Sequence, residues 1–169
     1  IGDPADPSVE LGPVIRKEEA AVVTAQIQKT LDQGGTLVCG GNRTGAFVAP
    51  TVILTPKTAD IAKDMEVFGP VFPLIPFETE QEAVEIANQT CYGLSSGVMT
   101  ADMGKAVRTA MQLQTGACIL GGSGNYRLAH QPFGGYKLSG LGREGAVSTL
   151  EEMTQQKTIS LKGILNGGL

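Results

Sequence analysis

Met65-Glu66-Val67-Phe68-Gly69-Pro70-Val71 sets an acid and an aromatic two residues apart, ahead of a Gly-Pro break and the apolar run Val71-Phe72-Pro73-Leu74-Ile75. In an extended segment, residues two apart point to the same side. Glu66 and Phe68 would then face one ligand, the carboxylate accepting from hydroxyls and the ring offering a flat apolar face. Gly69-Pro70 would fix the exit into the following strand. By residue type alone, the simpler reading is an exposed acid and a core Phe ahead of a strand.

Outward from this stretch, strands and helices alternate. Residues 71–77 read as a strand that Pro73 marks as an edge or interrupted one. Thr79-Glu80-Gln81-Glu82 has the form of a capping box, opening a helix that would turn Ala83, Ile86 and Ala87 inward and end near Asn88. A strand over 94–99 follows. Thr100 is then placed to cap a helix with the face Met103, Val107, Ala110 and Met111. Ala117-Cys118-Ile119-Leu120 is a further buried strand.

On the N-terminal side, residues 1–15 are an extended lead-in. A helix over 17–33 carries Ala20, Val23, Ile27 and Leu31 on one stripe and stops at Gly34-Gly35. Strands are expected at 36–39, 47–48 and 51–54. The C-terminal part holds a short helix over 144–153 and a half-buried strand at 158–161. The alternation predicts an α/β fold with a largely parallel sheet flanked by helices. Ligands in such sheets gather at the carboxyl ends of strands, which directs attention to residues 121–139.

The composition is that of an ordinary globule: 169 residues, 41% hydrophobic and 18% charged. That length is enough for one domain with a real core. A net charge of −4 argues against a nucleic-acid or anionic-membrane surface. No apolar run is long enough to span a membrane. The first residues lack the features of a signal peptide, and no initiator Met is present, so a longer parent chain is expected. Cys39, Cys91 and Cys118 are an odd, widely spaced set, which fits a reducing, cytoplasmic compartment. With His130 the only histidine, no metal site is expected. Gly140-Leu141-Gly142-Arg143-Glu144-Gly145 matches a dinucleotide fingerprint, but no buried strand precedes it and no acid follows about twenty residues on. It reads as a decoy.

The heptapeptide resembles the Glu-(Ile/Val)-Phe-Gly-Pro motif of the NAD(P)-dependent aldehyde dehydrogenase superfamily. The resemblance continues through Gly2-Asp3-Pro4 with Leu11-Gly12-Pro13, Ala49-Pro50-Thr51, and Asn88 with Tyr92-Gly93-Leu94. It ends on Pro132-Phe133-Gly134-Gly135-Tyr136-Lys137-Leu138-Ser139-Gly140 and Gly142-Arg143-Glu144. It implies that Glu66 holds a ribose of NAD or NADP and that Phe68 packs against the nicotinamide. Residues 1–156 would be the C-terminal part of the catalytic domain, and 157–169 an oligomerisation strand and tail, used in a homodimer or homotetramer by strand addition.

The resemblance also implies what this stretch does not carry. The family's nucleophilic cysteine and general-base glutamate lie in motifs absent here, so no catalytic group is assigned, and this chain alone is expected to be inactive. The implied activity of the parent is oxidation of an aldehyde to its acid, through attack of a cysteine thiolate on the carbonyl. Tyr126, Arg127, His130 and Phe133 are the candidate substrate residues. The matching loop lines the family's aldehyde tunnel, and Arg127 and His130 point to a small anionic or hydroxylated aldehyde. The plain alternative is a solvated loop, with Phe133 a core residue. Gly121 departs from the Asn that many members carry there, which implies a looser loop. Glu144 matches a glutamate proposed as a proton relay, with a helix first-turn acid as the alternative. Two other readings of the whole stay open: a non-enzymatic interaction module, and an acyl or acyl-phosphate reductase of the same superfamily.

Overall fold

The computed structural model describes residues 1–163. The first helix, α1 (Lys17–Asp32), buries Ala20, Val23, Ile27 and Thr30, with Leu31 half-buried. Arg16 precedes it and reaches Glu19 at 2.8 Å, one turn along. The helix stops at Gly34, whose φ of +94° is a conformation that costs glycine little. The strands β1 (Thr36–Cys39), β2 (Arg43–Thr44), β3 (Phe47–Val48) and β4 (Thr51–Leu54) follow at the expected places. Val48 and Ile53 meet the buried stripe of α1, and Val14, Leu31, Val67 and Val71 pack around this nucleus. Burying a side chain such as Ile53 contributes roughly 2 kcal/mol. The core is therefore anchored where the motif's own Val67 enters it.

After a 3-10 turn at Asp60–Ala62 come β5 (Val71–Leu74), α2 (Glu80–Asn88), β6 (Tyr92–Gly93), β7 (Ser95–Val98) and α3 (Met103–Gln112). The elements β8 (Ala117–Leu120), β9 (Tyr136–Lys137) and α4 (Ala146–Glu152) complete the chain. The α/β class is as expected, but the strands form a mixed set of small sheets among the described residues: β1-β4-β5, β2-β3, β6-β9 and β7-β8. The two four-residue parallel ladders, β4 with β5 and β7 with β8, are the crossovers that the alternation predicted. The remaining pairings are antiparallel because a tight turn or a returning loop brings those strands together. As Pro73 required, β5 is an edge strand, and it ends at Leu74 rather than Phe77.

Several faces differ from the expectation. In α3 the buried residue is Ala106, while Met103, Val107 and Met111 are exposed. The helix start is capped by Asp102, whose carboxylate accepts from the Lys105 amide at 3.0 Å, and Thr100 instead receives the Asp102 amide. That start sets the small-residue stripe of Ala106, Thr109 and Ala110 inward, and Thr109 Oγ1 donates to Glu80 of α2 at 2.8 Å. In α2 it is Val84 that is buried, and Ala87 is exposed. Thr79 caps α2 through the Glu82 amide at 3.1 Å, but Glu82 reaches back to the Glu78 amide, not to Thr79. Residues 158–161 pair with no strand among the described residues, with Ile159 and Leu161 exposed. A strand needs a second edge to bond to, and this segment bonds to none among the described residues. The rest of the expected tail, 164–169, lies outside the described residues.

Candidate functional site

The central motif is an irregular, extended segment between the 3-10 turn and β5. Val67 packs into the core beneath it. Glu66 and Phe68, one residue to either side, are exposed, Phe68 to 73%. Alternation thus sends both toward solvent on the face opposite Val67, and the reading of Phe68 as a core residue does not hold. Among the described residues the Glu66 carboxylate engages no donor, although its backbone carbonyl accepts from Gln26 Nε2 at 3.0 Å. The Tyr92 phenol has its pKa raised by the negative charges of Cys91 first and Glu66 next. A hydrogen bond from the Val71 amide to the Gly69 carbonyl at 2.8 Å closes a turn about Pro70. A Cβ at Gly69 would meet both methyls of Val23 at 2.9 Å, so glycine lets the segment lie directly on α1.

The second part of the site is the stretch from β8 to α4. Phe133 and Glu144 exchange both backbone hydrogen bonds at 2.8 Å, which closes the intervening residues into a loop. Across this bridge, Arg127 Nη1 contacts Glu144 Oε1 at 2.9 Å, and its guanidinium stacks over the Phe133 ring at 4.1 Å. Arg127, Phe133 and Glu144 therefore form one cluster. Glu144 lies two residues before α4, whose N-cap is Gly145, so it is not a first-turn acid of that helix. Tyr126 and His130 are exposed on the same loop, and no hydrogen bond or ring contact among the described residues joins them to the cluster. The loop base is held by Ser95 Oγ donating to the Gly124 carbonyl at 2.7 Å. Gly121 takes a positive φ of +78° and a Cβ there would meet nothing, in keeping with an open loop start.

The other candidates are structural. Arg143 donates to the carbonyls of Gly142 and Gly135 at 2.7 and 3.2 Å. Asn88 donates to the Gln112 carbonyl and accepts from the Gln114 amide, both at 2.8 Å, joining the ends of α2 and α3. The fingerprint at 140–145 does not form a phosphate cradle. Glu152 lies over it and accepts from the Arg143 amide at 3.3 Å, so an acid fills the place an anion would take. The Cys91 thiol has its pKa raised, chiefly by its hydrogen bond to Asp64, and is a poor nucleophile. No group of residues suited to a metal ion occurs among the described residues, and none of their helices is long and apolar enough to cross a membrane.

Two residues escaped the sequence reading. Asp64 accepts from the Cys91 amide at 2.7 Å, just ahead of the central motif. Lys137 has a positive φ of +54°, and its ammonium donates to the carbonyls of Asn88 at 2.8 Å and Thr90 at 2.9 Å. A charged residue, whether in a turn as Asp64 is or in a two-residue strand as Lys137 is, gives no sign in sequence of which distant amide or carbonyl it will meet.

The comparisons with known proteins agree in kind. The profile of the aldehyde dehydrogenase family matches residues 1–159. A lactaldehyde dehydrogenase of Methanococcus maripaludis is 40% identical over 97% of this chain and 35% of its own length. A betaine aldehyde dehydrogenase of Cereibacter sphaeroides is 43% identical over 94% of this chain and 33% of its own. Among solved structures, glyceraldehyde-3-phosphate dehydrogenase GapN from Methanocaldococcus jannaschii, in complex with NADP, superposes with a TM-score of 0.89. It shares 40% identity, over 94% of this chain and 34% of that one. The chain thus spans about a third of the length of the curated relatives it matches. With the family's profile running from Ile1 to Ile159 and the same fold recurring at this identity, the chain belongs to the aldehyde dehydrogenase family.

Proposed function

We propose that this chain is the part of an NAD(P)-dependent aldehyde dehydrogenase that positions cofactor and substrate, within a protein oxidising a small hydroxylated or anionic aldehyde. The observation that carries the reading is the pair Glu66 and Phe68, both exposed and, among the described residues, uncommitted, on a segment fixed from beneath by Val67. A carboxylate without a donor and an uncovered aromatic ring suit a ribose diol beside a planar heterocycle. Bound NAD or NADP would supply the electron acceptor for the oxidation, and water the second oxygen of the acid. Glu66 would orient the ribose, and Phe68 would limit the tilt of the nicotinamide ring.

On the substrate side, Phe133 and the 121–131 loop would line the aldehyde's approach, with Tyr126, Arg127 and His130 offering polar contacts. Pairing with Glu144 leaves the Arg127 site close to neutral. That favours the hydroxylated half of the proposed substrate class over strongly anionic members. The lactaldehyde relative, by its name, acts on a compound of that kind.

Residues 157–169 would form a strand added to a neighbouring subunit's sheet, giving a homo-oligomer, with residues 1–156 as the catalytic-domain part. The three free cysteines fit a cytoplasmic setting.

The test is to purify the full reading frame that contains this sequence and follow NAD(P)H formation with a panel of aldehydes. The panel would include lactaldehyde, glyceraldehyde, a dicarboxylic semialdehyde, betaine aldehyde and an unsubstituted alkanal. Turnover with the hydroxylated members ahead of the alkanal is expected. No reduction of NAD or NADP with any member would overturn the proposal.

A further inference from the structure

One short turn links the two halves of the site. Asn88 ends α2, and residues 89–91 lead into β6. On one side of this turn lies the segment that precedes the central motif. Asp64 Oδ1 accepts from the Cys91 amide at 2.7 Å and from Thr90 Oγ1 at 3.4 Å. From the turn itself, Gln89 Nε2 donates to the carbonyls of Ala62 at 2.6 Å and Lys57 at 3.1 Å. On the other side lies β9, which follows Phe133. There Lys137 Nζ reaches the carbonyls of Asn88 and Thr90, and the Leu138 amide donates to the Cys91 carbonyl at 3.0 Å. Cys91 thus binds the cofactor-side segment through its amide and the substrate-side segment through its carbonyl.

We propose that Asp64 is a positioning residue for the dinucleotide, fixing Glu66 and Phe68 against the Phe133 side through the Cys91 amide. The inference rests on the reading above that Glu66 and Phe68 hold the nicotinamide riboside. Between Asp64 and β5 the chain has no strand ladder to set its course. Its position depends on Val67 in the core, on the turn about Pro70, on the bond from Gln26 Nε2 to the Glu66 carbonyl, and on what holds its N-terminal end. At that end the Met65 amide donates to the Asp60 carbonyl within the preceding turn, and Asp64, two residues from Glu66, makes the tie to the Cys91 turn. Its carboxyl is kept below the ordinary carboxylate range by the Cys91 amide, so it is an ionised acceptor at neutral pH. A side chain that only stabilised the fold would affect cofactor and substrate alike. A hold on this end acts first on Glu66 and Phe68, the nearest ligand-facing side chains, and a misplacement of about 1 Å in a reacting group is enough to cost on the order of a hundredfold in rate.

The experiment uses the full-length enzyme and measures dinucleotide Kd by fluorescence titration, with the thermal midpoint followed in parallel. Asp64→Ala is expected to weaken dinucleotide binding by roughly tenfold, the scale of one lost charge-assisted hydrogen bond. Asp64→Asn keeps an acceptor oxygen for the Cys91 amide and is expected to stay within about threefold of the unaltered protein. Asp102→Ala removes the same kind of bond, a carboxylate on a backbone amide, from the start of α3. It is expected to lower the thermal midpoint and leave dinucleotide affinity unchanged. Unchanged affinity in Asp64→Ala, no rescue by Asp64→Asn, or an equal loss in Asp102→Ala would each overturn the inference. Glu66→Ala separates the two levels. If Glu66→Ala weakens dinucleotide binding and Asp64→Ala does not, only the positioning role fails. If Glu66→Ala has no effect, the cofactor reading itself fails, and the inference falls with it.

Discussion

Arg127 is held on two sides, by the Glu144 carboxylate at 2.9 Å and by the face of the Phe133 ring at 4.1 Å. Arg127 and Glu144 are both substantially exposed, so the ion pair itself contributes under about 1 kcal/mol. Its importance is to the local charge. Glu144→Gln would leave Arg127 stacked on Phe133 with an uncompensated charge facing the loop. In the full-length enzyme, KM for an anionic aldehyde is expected to fall several-fold, with little change for a neutral one. Arg127→Met should do the reverse. A kcat loss shared by every aldehyde in Glu144→Gln would instead identify Glu144 as part of a proton path.

Gly69 lies so close to Val23 that an added methyl group has no room. Gly69→Ala is expected to destabilise by about 1–3 kcal/mol, because Val23 is nearly fully buried and cannot swing away. The second substitution Val23→Ala makes space, so the double variant should be more stable than the two single losses predict. Denaturant unfolding of the four proteins measures the coupling. Strict additivity would mean that the motif's glycine serves its backbone conformation and not this contact.

Much of the fold was legible because it follows from period and punctuation. The α1 stripe, its stop at Gly34 and the edge character of the Pro73 strand all rest on local rules, and all hold. The motif's alternation was legible too, since Val67 points inward and its two neighbours outward. What local rules could not decide was which of two helical stripes is the inner one. In α3 both the expected Met103-Val107-Ala110-Met111 face and the Ala106-Thr109-Ala110 line have helical spacing; they share Ala110, and hydropathy favours the face whose other three residues are exposed. Small residues win because they let the helix approach β7 and β8 closely, and Thr109 ties that face to Glu80. At the site, residue types marked Arg127 and Glu144 separately. That they pair with each other was not legible, since it depends on a backbone bridge between Phe133 and Glu144 across the loop. Asp64 and Lys137 stayed hidden for the same reason: each acts on a backbone group more than twenty residues away in sequence.

Acid should weaken the fold in a defined direction. Asp60, Asp64, Glu82 and Asp102 all have pKa values lowered in the folded chain. For Asp60 the leading cause is the Lys29 ammonium, and for Asp64 the Cys91 amide. For Glu82 and Asp102 the leading causes are the amides of Glu78 and Lys105. A lowered folded value means that stabilisation is complete above the ordinary carboxylate range, about 4. As pH falls through that range the unfolded chain takes up protons first, and the stabilisation is lost until the folded groups protonate too. Stability should therefore be flat from neutrality to about pH 5 and fall below about pH 4. Asp64→Asn combined with Asp102→Asn should flatten the acid limb. A limb that keeps its slope in the double variant would show that other carboxylates set it.

The chain exposes 11,778 Å² of surface, whereas a folded monomer of its mass would expose about 7,900 Å². The excess, roughly half as much again, is not spread evenly. Met103 and Met111 on α3, with Phe72 and Leu74 on the edge strand β5, are each more than half exposed. Exposed single apolar residues are ordinary, but this many large ones on a chain of this size make it sticky in water. At micromolar concentration this chain by itself is expected to self-associate and to bind an apolar dye. Met103→Lys with Met111→Lys should reduce dye binding without unfolding α3, because both side chains point to solvent and lysine is a good helix former. A single monomeric boundary in sedimentation, with no dye signal, would mean that the free chain rearranges to cover these faces.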